Sequence, residues 1–355
     1  MSRRVLVVGG GVAGCAAAVG AARAGATVTL VEATRHLGGV AAQGEHRTLC
    51  GLAAIDAARP ELIEPELTAA WTARLATGAP YRAGRVWLWP TDADALQAGL
   101  AAGLREHAIA MRFAATLDAV EIAERVVAVR IAGERVAVDA VIDASGRAAV
   151  AALAGCAVED ARQWGAHRSV LRLALGAGKA ERVRALATAR AALGGDAAIA
   201  LTPLAPERWQ LSLDQPPGAH AAVAAAQAQR VALALGGELV ACARVVGERD
   251  QGRPPARLGL AELFASRDRG LCWAAWPREE HRADGVAWTW PAADRHGVPE
   301  IVARPLGAPA GLWLAGKALA VDVAAAAALR VTGTALAMGG AIGALAARRA
   351  DSPLA

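Results

Sequence analysis

The first 32 residues constrain the fold more than any other stretch. Val5-Leu6-Val7-Val8 reads as a buried strand, and Gly9-Gly10-Gly11-Val12-Ala13-Gly14 follows it directly. An Ala-rich stretch then runs to Gly25, and Thr27-Val28-Thr29-Leu30-Val31 reads as a second strand ending at Glu32. Strand, glycine turn, helix and strand together form the context in which G-x-G-x-x-G binds a dinucleotide. Gly9 permits the tight turn, Gly11 lets the backbone approach a pyrophosphate, and Gly14 lets helix and strand pack closely. The helix start presents free N–H groups to the phosphates, and Glu32 is placed to accept from the ribose hydroxyls. Arg3-Arg4 before an apolar run, and Val12-Ala13-Gly14-Cys15, also resemble a secretory or lipoprotein leader. A leader has no reason to continue into a second strand, so Cys15 is expected to be a small helix residue packed on the sheet.

Composition narrows the classes further. Apolar residues make up 55% of 355, which excludes a disordered chain. Five cysteines in that length exclude a disulfide scaffold. Lys179 and Lys317 are the only lysines, so arginine is the default cation, and it is spread along the chain and balanced by acids to a net +5. That pattern predicts no nucleic-acid partner. The length implies two domains or one large α/β domain with an insertion. A positive mean hydropathy of +0.31 raises the question of a membrane span. The uncharged run from Val331 to Ala347, ahead of Arg348-Arg349, falls short of one and carries Gly333, Gly339, Gly340 and Gly343. Small residues at helical spacing predict a helix lying tightly on a sheet or cofactor, with no membrane span and a cytoplasmic location.

Along the chain, Arg35-His36-Leu37-Gly38-Gly39 leads into a polar loop, 40–50, and residues 57–80 read as an exposed helix. Val86-Trp87-Leu88-Trp89-Pro90 reads as a short strand with both tryptophans on one face, and 92–107 as an amphipathic helix. Two β-runs, 126–131 and 136–142, flank a hairpin signal at 132–135; the second ends in Asp143-Ala144-Ser145-Gly146 before an Ala-rich helix. Residues 165–302 mix short strand-like runs such as 169–175 and 209–213 with Ala/Arg helices. From Gly311, Leu312-Trp313-Leu314-Ala315 reads as a strand entering Gly316-Lys317.

Three separated stretches fit one pattern: the N-terminal unit, the V-I-D-A-S-G turn at 141–146, and the C-terminal L-W-L-A-G-K, Asp322 and Arg330-Val331-Thr332-Gly333-Thr334 run. With Leu37-Gly38-Gly39-Val40-Ala41, they resemble the FAD-dependent oxidoreductases with a glutathione-reductase-like, two-dinucleotide-binding type FAD domain. About half the chain carries the resemblance directly, and 165–302 matches only loosely. Where that family usually has Arg after A-G, this chain has Lys317, a point charge in place of a fork.

The resemblance implies an α/β fold: a Rossmann-like FAD-binding domain with a parallel sheet, interleaved with an α+β substrate (cap) domain. The FAD domain would comprise 1–58, 91–164 and 303–350, and the cap 59–90 and 165–302. FAD would contact Gly9, Gly11, Gly14, Glu32, Gly38, Gly39, Ser145, Gly146, Gly316, Lys317, Asp322, Gly333 and Thr334. The helix opening at Gly333 would turn its positive end toward the flavin. Loop 43–50 would pass near the ring, making His46 and Arg47 candidates for catalysis or substrate contact, and His46 or Cys50 a candidate covalent anchor; Arg330, at the start of the last helix, is a third catalytic candidate.

Other residues attract sharper readings than they support. His281 and His296, near Glu279, Glu280 and Asp294, match no zinc spacing and read as a solvated acidic loop. The cysteines form no C-x-x-C, so no dithiol or iron–sulfur centre is expected. Trp273, Trp276, Trp288 and Trp290 could stack a flat aromatic substrate or pack in a core. The expected activity is flavin hydride transfer on an organic substrate under the cap, either a small molecule or a residue of a peptide or protein partner. Monooxygenation is the alternative within the enzyme class. No second G-x-G-x-x-G is present, so reoxidation falls to O2, a quinone or transient NAD(P)H. Oligomeric state and substrate identity are not legible.

Overall fold

In the computed structural model, which describes residues 2–161, 163–176, 178–195, 198–246 and 252–348, five strands form one parallel sheet. Their order is Leu312–Leu314, Ala140–Asp143, Arg4–Val8, Thr27–Glu32 and Ala110–Phe113. Val5 stands between Ala140 and Val28, so the two β-runs that bracket the glycine turn are true neighbours. Leu6, Leu30, Val141, Ile142 and Leu314 are buried, as a sheet covered on both faces requires. The expected α/β fold with a Rossmann-like sheet is the fold observed.

The helix Val12–Arg23 follows the glycine turn and packs on the C-terminal helix Thr332–Arg348. A Cβ at Gly343 would stand 1.9 Å from the Ala17 carbonyl oxygen, and one at Gly339 2.2 Å from that of Ala13. The backbones approach so closely that only glycine fits, and the apolar 331–347 run is therefore a core helix. No single described helix is long and apolar enough to cross a membrane. Val323–Leu329 and Thr332–Arg348 reach that length only as a pair, and they bend by 96° at the break. Arg349 lies outside the described residues, as do the other residues that close the chain.

Two local expectations change. The exposed helix over 57–80 shrinks to Pro65–Leu75, because Pro65 starts it and the preceding chain is loop. It is not a surface element either: Trp71 and Leu75 are buried against the helix Ala93–Glu106, where Cβ atoms at Gly99 and Gly103 would strike Leu75 and Trp71. The run 136–142 also divides. Glu134–Ala137 closes a hairpin with Val126–Ile131 over a turn at Ala132-Gly133, while Ala140–Asp143 enters the parallel sheet. Asp139 holds the break, its backbone N–H donating to the Arg4 carbonyl and its carboxylate taking the Arg4 guanidinium.

A second, antiparallel sheet runs in the order Ile199–Ala205, Arg208–Gln215, Gly165–Arg172 and Glu238–Cys242. Its two faces differ by strict alternation. Trp209, Leu211, Leu213 and Leu171 form an apolar cluster with Ala185, Ala189, Ala228 and Val231 of the helices Lys179–Ala192 and Ala221–Ala234. The other face carries Gln210, Ser212 and Asp214, with Arg168 paired in register to Ser212. This polar face is turned onto the loop after Gly39, since Gln210 Nε2 donates to the Glu45 carbonyl at 3.1 Å.

Candidate active site

The glycines of the N-terminal unit gather at the carboxyl edge of the parallel sheet. Gly9 has φ +109°, and a Cβ there would stand 2.3 Å from the Ala144 carbonyl oxygen. One at Gly14 would stand 1.9 Å from the Gly9 oxygen, whereas one at Gly11 would meet nothing within 4 Å. Two glycines are thus required by protein contacts, and the third opens onto free space at the helix start. Gly38 joins them, its N–H donating to the Gly10 carbonyl at 2.8 Å, and Gly39 lies against Gly11. Glu32 is buried with its carboxylate at this edge, accepting from Gly10 N and Thr34 N at 2.7 Å each.

The D-A-S-G turn lies on Gly9. Asp143 is fully buried, and its carboxylate accepts from Ser145 N and Oγ and from Val150 and Ala151 N–H. Ser145 therefore ties the turn to the sheet. Gly146 adopts φ +76° beside Lys317, whose Cε would stand 3.5 Å from a Cβ there, and Gly316 sits on Ala13. Asp322 caps Val323–Leu329 through Ala325 N–H and also accepts from Leu260 N–H, so its carboxylate organises backbone.

The C-terminal helix begins on loop 43–50: Gly333 N–H donates to the Cys50 carbonyl at 2.7 Å, and Thr332 Oγ1 accepts from Cys50 N–H at 3.0 Å. Thr334 is fully buried, and its hydroxyl has no partner among the described residues. Burial pushes the Cys50 thiol up to about 11, so it stays protonated and is a poor nucleophile.

His46 lies under the polar face of the second sheet, with Nε2 3.1 Å from Arg168 Nη1. A guanidinium only donates, so Nε2 accepts and the ring proton sits on Nδ1. Burial, and the charges of Arg168, Arg330 and Lys317, hold His46 well below the ordinary histidine range. It is a neutral acceptor and not a proton donor. Arg47 turns away to pair with Glu45 at 2.6 Å. Arg330 Nη2 donates to the Glu279 carbonyl at 2.9 Å, and burial beside Arg168 pushes Arg330 down to about 9.

The structure corrects the reading of His281 and His296 as a solvated loop: both are buried. His281 Nδ1 is 2.7 Å from Asp214 Oδ1, with both side chains almost fully covered, and its Nε2 is 3.7 Å from Glu279 Oε1. Among the described residues, no His/Cys/Asp/Glu group comes together that could hold a metal ion. Local sequence gives no hint of the His281–Asp214 pair, because 67 residues separate its members. The alternation Gln210, Ser212, Asp214 between Trp209, Leu211 and Leu213 is the signal that could have marked a polar sheet face. Of the tryptophans, Trp276 reaches this group by donating to Glu279 Oε2 at 3.3 Å. Trp288 and Trp290 stack on each other, and Arg85 covers Trp290.

The sequence profile of the FAD dependent oxidoreductase family matches residues 4–212 and 261–354, and the chain belongs to that family. No curated protein matches it. Among solved structures, it is similar to BexE, studied for oxidation during BE-7585A biosynthesis, at 15% identity and TM-score 0.50 over 92% of this chain and 58% of that one. It is also similar to CabE, an aromatic hydroxylase from angucycline biosynthesis, at 12% identity and TM-score 0.48 over 91% and 57%. A third is 2-methyl-3-hydroxypyridine-5-carboxylic acid oxygenase, at 15% identity and TM-score 0.47 over 94% and 80%. The chain spans 60% of the Diels-Alderase PyrE3 and 57% of CabE. The likeness to BexE is one of fold.

The residues present fit FAD. Gly11 opens the helix start where a pyrophosphate needs close approach, an acidic side chain ends the second strand, and the buried Thr334 hydroxyl at the far helix start has no partner among the described residues.

Proposed function

We propose that the chain oxidises an organic substrate by hydride transfer, in the space between the parallel-sheet domain and the polar face of the antiparallel sheet. Bound FAD supplies the redox chemistry, accepting the hydride. On this reading 1–58, 91–164 and 303–350 form the FAD domain, with 59–90 and 165–302 as the cap. The five-stranded parallel sheet with its three-stranded antiparallel appendage, 117–137, supports the glutathione-reductase-like subtype. Gly9, Gly11, Gly14, Gly38 and Gly39 shape the backbone cradle for the pyrophosphate, Glu32 meets the ribose, and Lys317 with the 145–146 turn closes the other side. Gly333 and Thr334 face the ring end.

One observation carries the reading: a covered His281–Asp214 pair on the cap, facing His46 and Arg330 across the domain boundary. Asp214 Oδ1 lies 2.7 Å from His281 Nδ1 and fixes the ring, with Nε2 turned toward Glu279. As the substrate C–H leaves as hydride, the proton of the adjoining O–H or N–H passes to Nε2.

The test begins with the absorption spectrum of the purified protein. Flavin bands are expected in the wild type and absent from Gly11→Trp, because the indole fills the open approach. A wild-type protein that is colourless and cannot be reconstituted with FAD overturns the reading. Anaerobic bleaching of the flavin by organic substrates should be lost in His281→Gln with flavin content retained. Consumption of O2 and NAD(P)H with oxygen entering the product would instead assign monooxygenation.

A further inference from the structure

Trp276, Trp288 and Trp290 gather at one end of the hairpin formed by Arg278–Arg282 and Gly285–Thr289. Trp288 stands between the other two. Its ring stacks on Trp290 with centroids 6.2 Å apart and planes 20° from parallel, and it meets Trp276 edge-on at 6.3 Å and 66°. Each neighbour is itself held. Trp276 is buried and donates through Nε1 to Glu279 Oε2 at 3.3 Å. Trp290 carries the Arg85 guanidinium 4.4 Å from its ring centroid, and Asp56 fixes Arg85 in turn at 2.6 Å. Two anchored partners thus set the Trp288 ring in place, yet 45% of this residue stays exposed. A large ring that is fixed but uncovered offers apolar area whose rotamer freedom is already lost, so a ligand packing there meets little ordering cost.

The register of the hairpin joins this ring to the site. Glu279 pairs with Trp288, and His281 with Val286. Directly paired residues of antiparallel strands project from the same face, and diagonal ones lie about 7–8 Å apart. Trp288 therefore stands on the face that carries His281, one diagonal step from it, with Glu279 as its direct partner. Glu279 Oε1 lies 3.7 Å from His281 Nε2 while Oε2 takes the Trp276 N–H, so one carboxylate ties the ring cluster to the histidine. Loop 43–50 borders the same place. The charge of Glu279 reaches the Cys50 thiol, and burial together with Cys50 pushes the phenol of Tyr81 up. Tyr81 is the single tyrosine of the chain and is 44% exposed, so a second aromatic side chain stands uncovered near this loop.

From this cluster we infer that the substrate is a small, flat aromatic molecule whose ring packs on the exposed surface of Trp288. A ring held there brings its substituent within one diagonal step of His281. Aromatic rings attract one another through offset and edge contacts beyond the area they bury, so the cluster prefers a flat ring to a puckered one of the same skeleton. A free molecule suits the place better than a residue of a partner chain. The His281 and Asp214 side chains are only 5% and 7% exposed, and a polypeptide has no course to them. The inference rests on the hydride-transfer reading above and names the substrate class of that same site.

The experiment titrates three probes calorimetrically into FAD-loaded enzyme: naphthalene-2-carboxamide, its fully saturated decahydro analogue, and a capped Gly-X-Gly peptide in which X is 2-naphthylalanine. The flat amide is expected to bind most tightly. The saturated amide is at least as apolar, so a merely greasy surface would bind it equally well. Trp288→Leu keeps apolar bulk and removes the flat ring. It should weaken the flat amide about 3–10-fold, the increment expected of an aromatic pair, with the saturated amide and the FAD content unchanged. Trp288→Phe should fall between, and Val183→Thr, on an exposed helix face, should match the wild type. Equal or tighter binding of the saturated amide overturns the aromatic assignment, as does a Trp288→Leu enzyme that binds the flat amide unchanged. Tighter binding of the peptide overturns the assignment to a free molecule. If Trp288→Leu does not fold, the pair of amides on the wild type and Trp288→Phe still decides. A wild type that takes up no FAD overturns the flavin reading and this inference with it, whereas a flavin-loaded enzyme indifferent to ring flatness overturns only this inference.

Discussion

Asp143→Ala removes the acceptor around which the turn at Ala144–Gly146 is built. The carboxylate takes four donors, Ser145 N at 3.1 Å, Ser145 Oγ at 2.6 Å, Val150 N at 2.8 Å and Ala151 N at 3.0 Å, in a fully buried position. The Ser145 hydroxyl can rotate to another partner, but three N–H groups cannot. Stranding a buried donor costs about 1–3 kcal/mol, and removing a buried charge returns part of that. The net loss expected for Asp143→Ala is therefore about 3–5 kcal/mol. Asp143→Asn can keep its oxygen on Val150 and Ala151 and turn its amide toward the Ser145 hydroxyl, stranding one N–H at about 1–2 kcal/mol. The gap of about 2 kcal/mol between the variants follows from the donor count. It should appear in denaturant unfolding of the flavin-free protein, where FAD linkage does not contribute. Because Gly9 lies against Ala144, FAD retention should fall in the same order. Burial raises the pKa of the Asp143 carboxyl despite its four donors, so the folded state holds this proton more tightly than the unfolded chain. The stability advantage of the wild type over Asp143→Asn should then shrink as pH rises from the ordinary carboxylate range through the raised folded value. An apo Asp143→Ala protein as stable as the wild type, or two variants equally destabilised, would refute the reasoning.

Two further outcomes are expected. Gly343→Val drives a branched side chain into the Ala17 carbonyl and should cost at least about 2–3 kcal/mol, read as a fall in the unfolding midpoint; tolerance would mean that the two helices can separate freely. His296 is fully buried against Phe264, and burial pushes it down to about 4. It stays neutral in the fold while the unfolded chain protonates it near the usual value, so stability is fully present above pH ~6.5 and falls on acidification toward pH 4, by up to about 3 kcal/mol. His296→Phe should flatten that part of the pH–stability curve, and an unchanged slope would show that another group titrates there.

How much of the site could be read in advance depended on how local its chemistry is. The glycine unit, Glu32 and the turn at 143–146 were legible because each role is fixed by a few consecutive residues. A tight turn, a close backbone approach and a strand end leave their mark at fixed spacing. Lys317 could be singled out as a rare residue at a patterned position, and the fold brings it beside Gly146. Arg168, Asp214 and His281 were not. They lie on the separate strands Gly165–Arg172, Arg208–Gln215 and Arg278–Arg282, the last in a different sheet, and only tertiary packing brings them together. The buried state of His281 was misjudged because its acidic neighbours suggested solvent, whereas one of them, Glu279, packs inward with it.

The sequence by itself determined the strand–turn–helix unit, the parallel sheet and the apolar C-terminal helix, because backbone sterics and hydrophobic periodicity act over a handful of residues. Tertiary structure alone decided which charged groups come together, and that His46 Nε2 accepts from Arg168. Those properties depend on desolvation and on Coulomb interactions between residues more than a hundred positions apart, and distance in the chain carries no record of either.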